Sequence, residues 1–401
     1  MSIPKISIYT GVSLPLSLIP KISGLTRIPL RVMPEIWFGY GGTEVSLELP
    51  DDLSYKVLEP RELKPDEKFW RELSEFADNL GRDAGSRGFT ILYDHTGDRL
   101  TLVILRHLIE SLEQHADRIE VLMSSWRLDP SEGWEDARKG LKEYGVRAEI
   151  LDVRGREMVE HAGMKVSEDL LDNSVKIILT ASEPHGLFGK ASLREALALG
   201  GFAEVSFSED FQADILAAWS RLIEELKPWA ITVFNDRLYM GDAEDVAKRV
   251  YDAGCEELVG DFEIAVAGCG GRPRDSSFQL VAHVIGLLRD SVVDGGLIGL
   301  VAECSRGLGS KSFMEAVLGV GGAPLDHALA KLIREASGDR RIALATTLPR
   351  SIMRRLFDIR CFDTSEEMLT YALRRYTREA HVLILERPHI KPVRSSMRGR
   401  S

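Results

Sequence analysis

A histidine is the side chain best suited to moving protons near neutral pH, and His185 stands in a position of interest. It lies between Pro184 and Gly186 in SEPHGLFGKASLREALALGG, just ahead of a helix-like segment. Three glycine-bearing loops that follow β-rich runs are the other places where residue types suggest chemistry. In YDHTGDRL, Asp94, His95 and Thr96 stand at a strand end and before a helix, where Thr96 and free backbone amides suit a phosphate. The same loop reads equally as a turn capped by Asp98.

The second loop, in AVAGCGGRPRDSSFQLVAHVIGLL, carries Gly268, Gly270 and Gly271, but Pro273 stands at the third glycine of a dinucleotide fingerprint. In the third, LVAECSRGLGSKSF, Ser310 separates Gly309 from Lys311, which breaks the phosphate-loop spacing. What these two loops share is charge. Arg272, Arg274, Asp275, Glu303, Arg306 and Lys311 make a surface that suits a small anionic ligand. Cys255, Cys269, Cys304 and Cys361 are too widely spaced for a zinc knuckle, so they read as buried free thiols and no metal site is assigned.

The elements that must position these residues are strands alternating with helices. From position 89 onward, short β-rich runs (FTILY, IEVLM, RAEIL, VKIIL, AITVF, FEIAVAG, GGLIGLVA, RRIALAT, HVLIL) are separated by stretches with apolar residues at three-and-four spacing. That alternation predicts an α/β fold with mainly parallel sheets covered on both faces. Ahead of it, WFGYGGTEVSLELPDD predicts a small antiparallel hairpin. In LYMGDAEDVAKRV, Gly241 and Asp242 suit a turn and a helix cap, and the division into two α/β domains is placed there, at 1–245 and 246–401.

With 401 residues, 44% hydrophobic and 28% charged, the composition is that of a globular protein with room for two cores. Apolar runs are broken by charge before they reach a membrane span of about 20 residues. Prolines and lysines interrupt the apolar N-terminus, so no targeting segment is read and a cytoplasmic protein is expected. A net charge of −11 argues against nucleic-acid binding. The tail 387–401 is a local exception, with Arg387, Lys391, Arg394, Arg398 and Arg400 and no acid.

Taken in order, these segments resemble the nickel-dependent lactate racemase family. FGYGGTEVSLELPDD is similar to its opening hairpin, LYDHTGDRL to its DxTRP loop and SEPHGLFGKASLRE to its EPHxxxGxSGGRK segment. VFNDRLYMGD looks like a shortened version of a family strand and turn. GGRPRDSSFQ and VVDGGLIGLVAECSRGLGSKSF are similar to GGxPxDxxxYQ and GGxIIxxAECxxGxG. The resemblance implies a site in the cleft between two α/β domains and a nickel-pincer nucleotide as cofactor. It also implies racemisation or epimerisation of 2-hydroxy acids by reversible hydride transfer to the cofactor's pyridinium ring, with two histidines as acid–base groups for the substrate hydroxyl, one for each enantiomer.

Carried over by position, the resemblance makes His185 one catalytic histidine. It puts Asp94, Thr96, Lys190 and Arg194 on the cofactor, and Arg127, Arg272, Asp275, Gln279 and Lys311 on a small anionic substrate, a 2-hydroxy acid or sugar acid. The pattern departs at several positions. Trp126 stands at the second histidine, Glu195 follows Arg194 where the cofactor-bonding lysine belongs, and Gly97 and Asp98 replace the arginine and proline of the DxTRP loop. GGFAEVSFSEDFQAD holds no histidine to bind nickel. His95 is the alternative second base. Two further readings stand beside the racemase: a nickel-free α/β enzyme using His185 alone, and a non-catalytic relative binding a small anion or a protein partner.

Overall fold

The computed structural model describes residues 35–387, except 59–62, 86, 125, 129, 144–147, 154–155, 162, 209, 254–255, 259–261 and 378, together with 393–395. The expectations placed on the N-terminus, on Cys255 and on most of the basic tail fall outside the described residues.

The predicted alternation builds two six-stranded sheets. In the first the order is Arg237–Asp242, Trp229–Phe234, Val175–Ala181, Phe89–Asp94, Ile119–Ser124 and Glu149–Asp152, parallel throughout except for the outermost Arg237–Asp242. The second runs Arg360–Phe362, Arg341–Ala345, Val292–Val301, Phe262–Gly268, His381–Leu385 and Ser54–Leu58, all parallel.

Continuous apolar runs such as VKIILTA form these strands because helices cover both faces of each sheet. In the first sheet Ile91, Ile177 and Ile231 meet Leu105 and Leu108 of the Arg99–Leu112 helix. Their neighbours Leu92, Ile178 and Ala230 point the other way, to Trp219, Leu222 and Val246. Aspartates start the covering helices: Asp98 accepts from the Leu100 amide, and Asp242 from the Glu244 and Asp245 amides, as the sequence predicts for both.

The N-terminal hairpin, Glu35–Tyr40 with Thr43–Glu48, is antiparallel as expected. It is also a lid on the second sheet. Phe38, Leu47 and Leu49 are fully buried against Val266, Val301 and Val382, which would otherwise face water, a burial worth roughly 1.5–3 kcal/mol per side chain. Ser54–Leu58 then adds an edge strand to the same sheet. Residues 35–58, which the sequence reading groups with the first domain, thus pack on the second sheet. Two small antiparallel pieces lie outside any sequence expectation: Met158–His161, Met164–Ser167 and Ala203–Glu204 form one, and Glu183–His185 with Gly189–Ala191 the other.

Both sheets reverse their strand order beside a central strand. In the first, the chain steps from Phe89–Asp94 outward to Glu149–Asp152 and then returns to the other side of Phe89–Asp94 with Val175–Ala181. In the second the return is from Arg360–Phe362 to His381–Leu385, beside Phe262–Gly268. Such switch points open crevices at the carboxyl ends of parallel strands.

Candidate functional site

At the first switch point the crevice is filled by Arg127, from the loop after Ile119–Ser124. Its Nη1 donates to the Ala181 carbonyl at 2.9 Å, and its Nη2 to Thr180 Oγ1 at 2.8 Å and to Asp94. Thr180 Oγ1 also donates to Asp94 at 2.9 Å. Glu183, one turn beyond the strand, lies 3.3 Å from Arg127 Nη1. From the second half, Arg274 donates to both oxygens of Glu183, at 2.8 and 2.6 Å. A bidentate guanidinium–carboxylate pair of this kind is the strongest form of ion pair, and here it ties the two halves together. The Arg127 and Glu183 side chains are buried, and Arg274 is largely so. Burial opposes the charge on Arg127, but Asp94 and Glu183 outweigh it and hold the guanidinium above its ordinary pKa.

His185 ends the Glu183–His185 strand, paired with Gly189, whose φ of +70° favours glycine at the turn. The Leu187 amide donates to His185 Nδ1 at 3.2 Å. An accepting Nδ1 leaves the proton of the neutral ring on Nε2. His185 therefore presents an N–H to its surroundings. Its ring stacks on Phe188 at 4.6 Å and, across the cleft, on His283 at 4.4 Å and 3°. Burial lowers both imidazoles, His185 well below the usual value and His283 to about 4. Both rings are uncharged at neutral pH.

The close stacking depends on Gly186, where a Cβ would lie 2.0 Å from the His283 carbonyl and 3.0 Å from Gly286 Cα. Between these groups lies a cavity of about 90 Å³. Trp126, Arg127, Glu183 and His185 wall it from one side, and Cys269, Arg274, Gln279 and His283 from the other. By this measure a single water needs roughly 10–15 Å³, so the space suits a molecule of a few heavy atoms. Several wall residues have polar atoms left without partners: Trp126 Nε1, Arg127 Nε and His283 Nδ1 are buried and unbonded.

The other predicted site residues are placed as follows. Asp94 is under Arg127, with Oδ1 unbonded, and Thr96 is buried nearby in sequence with its hydroxyl unbonded. Gln279 reaches the cavity wall, held by Asp326 and the Ser310 amide. Lys190 donates to the Val250 and Tyr251 carbonyls at the end of the Ala243–Asp252 helix, away from the cavity wall. Arg194 lies in the Leu193–Leu199 helix with Nε unbonded. Arg272 is paired with Glu303 and Ser305, and Lys311 extends into solvent beside Glu315. Asp275 is a structural link, accepting from the Gly41 amide at 2.8 Å and the Glu303 amide at 3.0 Å, so that it ties the hairpin to the second sheet. His95 is buried against Tyr93 OH at 2.8 Å, which removes it from the cleft.

These placements do not fit a lysine-tethered nickel-pincer nucleotide. Lys190 is occupied at a helix end, and Glu195 accepts from the Ser192 amide at 2.8 Å as a helix cap. The cavity is far below the roughly 300–1,000 Å³ of larger ligand pockets. Among the described residues, no group of three His, Cys, Asp or Glu is placed to hold a metal.

Solved structures supply a likeness that sequence comparison does not. No protein-family model and no curated protein matches the sequence. The lactate racemase apoprotein from Thermoanaerobacterium thermosaccharolyticum superposes with a TM-score of 0.66 at 13% identity, over 90% of this chain and 100% of that one. The fold is similar to that of lactate racemase. A Thermotoga maritima protein of known crystal structure matches with a TM-score of 0.61, also at 13% identity, over 83% of this chain and 100% of that one. At such identity the likeness extends to the fold and stops there.

Sequence reading missed three of the residues that shape the site. Glu183 sits in the quoted EPH but reads there as spacing, and Arg274 appears only as one charge among several. His283 has no local signal, since it lies on a helix and becomes part of the site only when the halves meet. Other histidines have ordinary partners: His107, on the Arg99–Leu112 helix, with Ser74; His115, in the turn after it, with Asp78; and His161, at the end of the Met158–His161 strand, with Glu225.

Proposed function

We propose that this chain binds a small carboxylic acid, of the 2-hydroxy acid class, in the cavity between its two halves. The observation that supports this reading is a surplus of buried N–H donors on the cavity wall. Trp126 Nε1 and Arg127 Nε have no acceptor, and His185 holds its proton on Nε2. A buried donor left unpaired costs about 1–3 kcal/mol, so an acceptor-rich occupant is favoured over an apolar one. Arg127 and Arg274 are balanced by Asp94 and Glu183, so it is the unpaired donors and not a net positive charge that favour the acid.

In this reading the carboxylate oxygens accept from Arg127 and Trp126, and the hydroxyl or a carboxylate oxygen accepts from His185. Glu183 and Asp94 orient the guanidinium. The likeness to lactate racemase supports the acid as the ligand class, while the engagement of Lys190 and the capping role of Glu195 count against racemisation by tethered hydride transfer. The function that fits these residues is recognition of the acid, with any turnover resting on a nickel-free route.

A thermal-shift panel tests the proposal. D-lactate, L-lactate and small sugar acids are expected to raise the melting temperature, and the matched neutral amides to leave it unchanged. At tenfold excess over the dissociation constant a ligand adds about 1.4 kcal/mol. If the amides stabilise as well as the acids, or if no acid stabilises, the proposal is wrong.

A further inference from the structure

The second sheet carries another cavity at its opposite end, where its strands begin. It measures about 370 Å³ and is lined by Arg340, Arg341, Arg354 and Arg360 against Asp339 and Asp358. Four guanidiniums against two carboxylates leave a positive balance in a chain whose net charge is −11. The cavity falls within the roughly 300–1,000 Å³ usual for small-molecule sites, unlike the cavity between the halves.

Part of this charge has a structural explanation. Arg340 is satisfied by the Val292 carbonyl, Asp294 and Asp339, and Arg354 lies in the last turn of the Arg350–Phe357 helix, where a cation complements the helix dipole. Arg341 and Arg360 have no such role. Each opens a strand, and neither makes a side-chain hydrogen bond or ion pair among the described residues. Arg360 is held over the Tyr371 ring at 4.5 Å, which fixes its guanidinium without using its N–H groups. Unspent guanidinium forks on rigid strand ends recognise phosphate oxygens in pairs, and a concave positive surface concentrates anions.

We propose that this cavity is a second ligand site, for a small molecule carrying a diphosphate, with Arg341, Arg354 and Arg360 binding the phosphoryl oxygens and Tyr371, packed against Phe362, holding the Arg360 guanidinium in place. It stands apart from the small-acid cavity, since the two lie at opposite ends of the second sheet's strands. The proposal does not depend on what the first cavity binds.

Calorimetric titration of the full chain at constant ionic strength tests it, with pyrophosphate as the probe and inorganic phosphate and a nucleoside diphosphate as further arms. Pyrophosphate is expected to bind saturably at one site, more tightly than inorganic phosphate. Arg341→Ala combined with Arg360→Ala should weaken binding by about tenfold or more, while Arg221→Ala, which removes a positive charge elsewhere on the surface, should leave it unchanged. Should the double variant fail to fold, Arg360→Lys keeps the charge and loses the fork, and a smaller loss is expected. A nucleoside diphosphate is expected to bind about as tightly as pyrophosphate, and binding of the nucleotide without binding of pyrophosphate overturns the assignment to the diphosphate. No saturable binding in the millimolar range overturns the proposal, as does equal weakening by Arg221→Ala.

Discussion

Glu183 is the residue on which the two halves depend most directly. It receives both nitrogens of Arg274 from one side and Arg127 from the other, in a place with little water. Removing one partner of a buried ion pair strands the others and costs about 3–5 kcal/mol. Glu183→Ala is expected to lower the urea midpoint accordingly; a change below about 1 kcal/mol would show that the contact between halves does not rest on this carboxylate. The stacked imidazoles add a pH dependence. Their folded pKa values lie below the ordinary 6.5, so on acidification the unfolded chain takes up protons first. The stability they contribute is present above about pH 6.5 and is lost as the pH falls toward 4. Denaturation midpoints measured across this window should fall more steeply for the wild type than for a chain with His185→Gln and His283→Gln. Parallel curves would contradict the assignment of neutral rings.

At the scale of elements, the sequence made the strands legible because a buried parallel strand must be a short apolar run. FTILY, VKIIL, FEIAVAG and HVLIL are all strands. It also marked the caps, since Asp98 and Asp242 have a local reason to be where they are. What it concealed were pairings between distant segments: Ser54–Leu58 joins the second sheet only by meeting His381–Leu385. Glu195 shows how a residue acquires a different meaning from its element. Where the family pattern has a lysine, it caps Leu193–Leu199, half-buried and with its pKa raised chiefly by desolvation, partly offset by its bonds to Ser192. Glu195→Gln preserves a capping box and is expected to stay within about 0.5 kcal/mol of the wild type. Glu195→Lys should cost about 2 kcal/mol or more, because it loses the cap and buries a charge. Equal stability of the two variants by thermal denaturation would refute the capping role.

On the scale of the whole molecule, two α/β halves meet so closely that glycine is required at the contact. Gly186→Ala would push a methyl group into the His283 carbonyl and separate the halves at the site itself. A loss of about 1–3 kcal/mol is expected, as for other overpacked contacts, together with loss of acid binding; an unaffected variant would mean that the contact is soft. The lactate racemase-like fold was legible from the order of the motifs, and the solved structures bear that likeness out at 13% identity. The site was legible only in part. His185, Arg127 and Gln279 do line the cavity, whereas Lys190, Arg272 and Asp275 are engaged elsewhere and Lys311 extends into solvent. Position in a motif reports where a residue stands along the chain, and its hydrogen-bond partners decide what it has left for a ligand.

The central claim is that unpaired N–H groups on the cavity wall await a carboxylate. Calorimetric titration of the wild type and of Trp126→Phe with lactate tests it most directly, because that substitution removes the indole N–H and keeps an aromatic ring. The account predicts binding to the wild type, and about tenfold weaker binding to Trp126→Phe for the loss of one buried hydrogen bond. Binding of equal strength to both, or to neither, would contradict it.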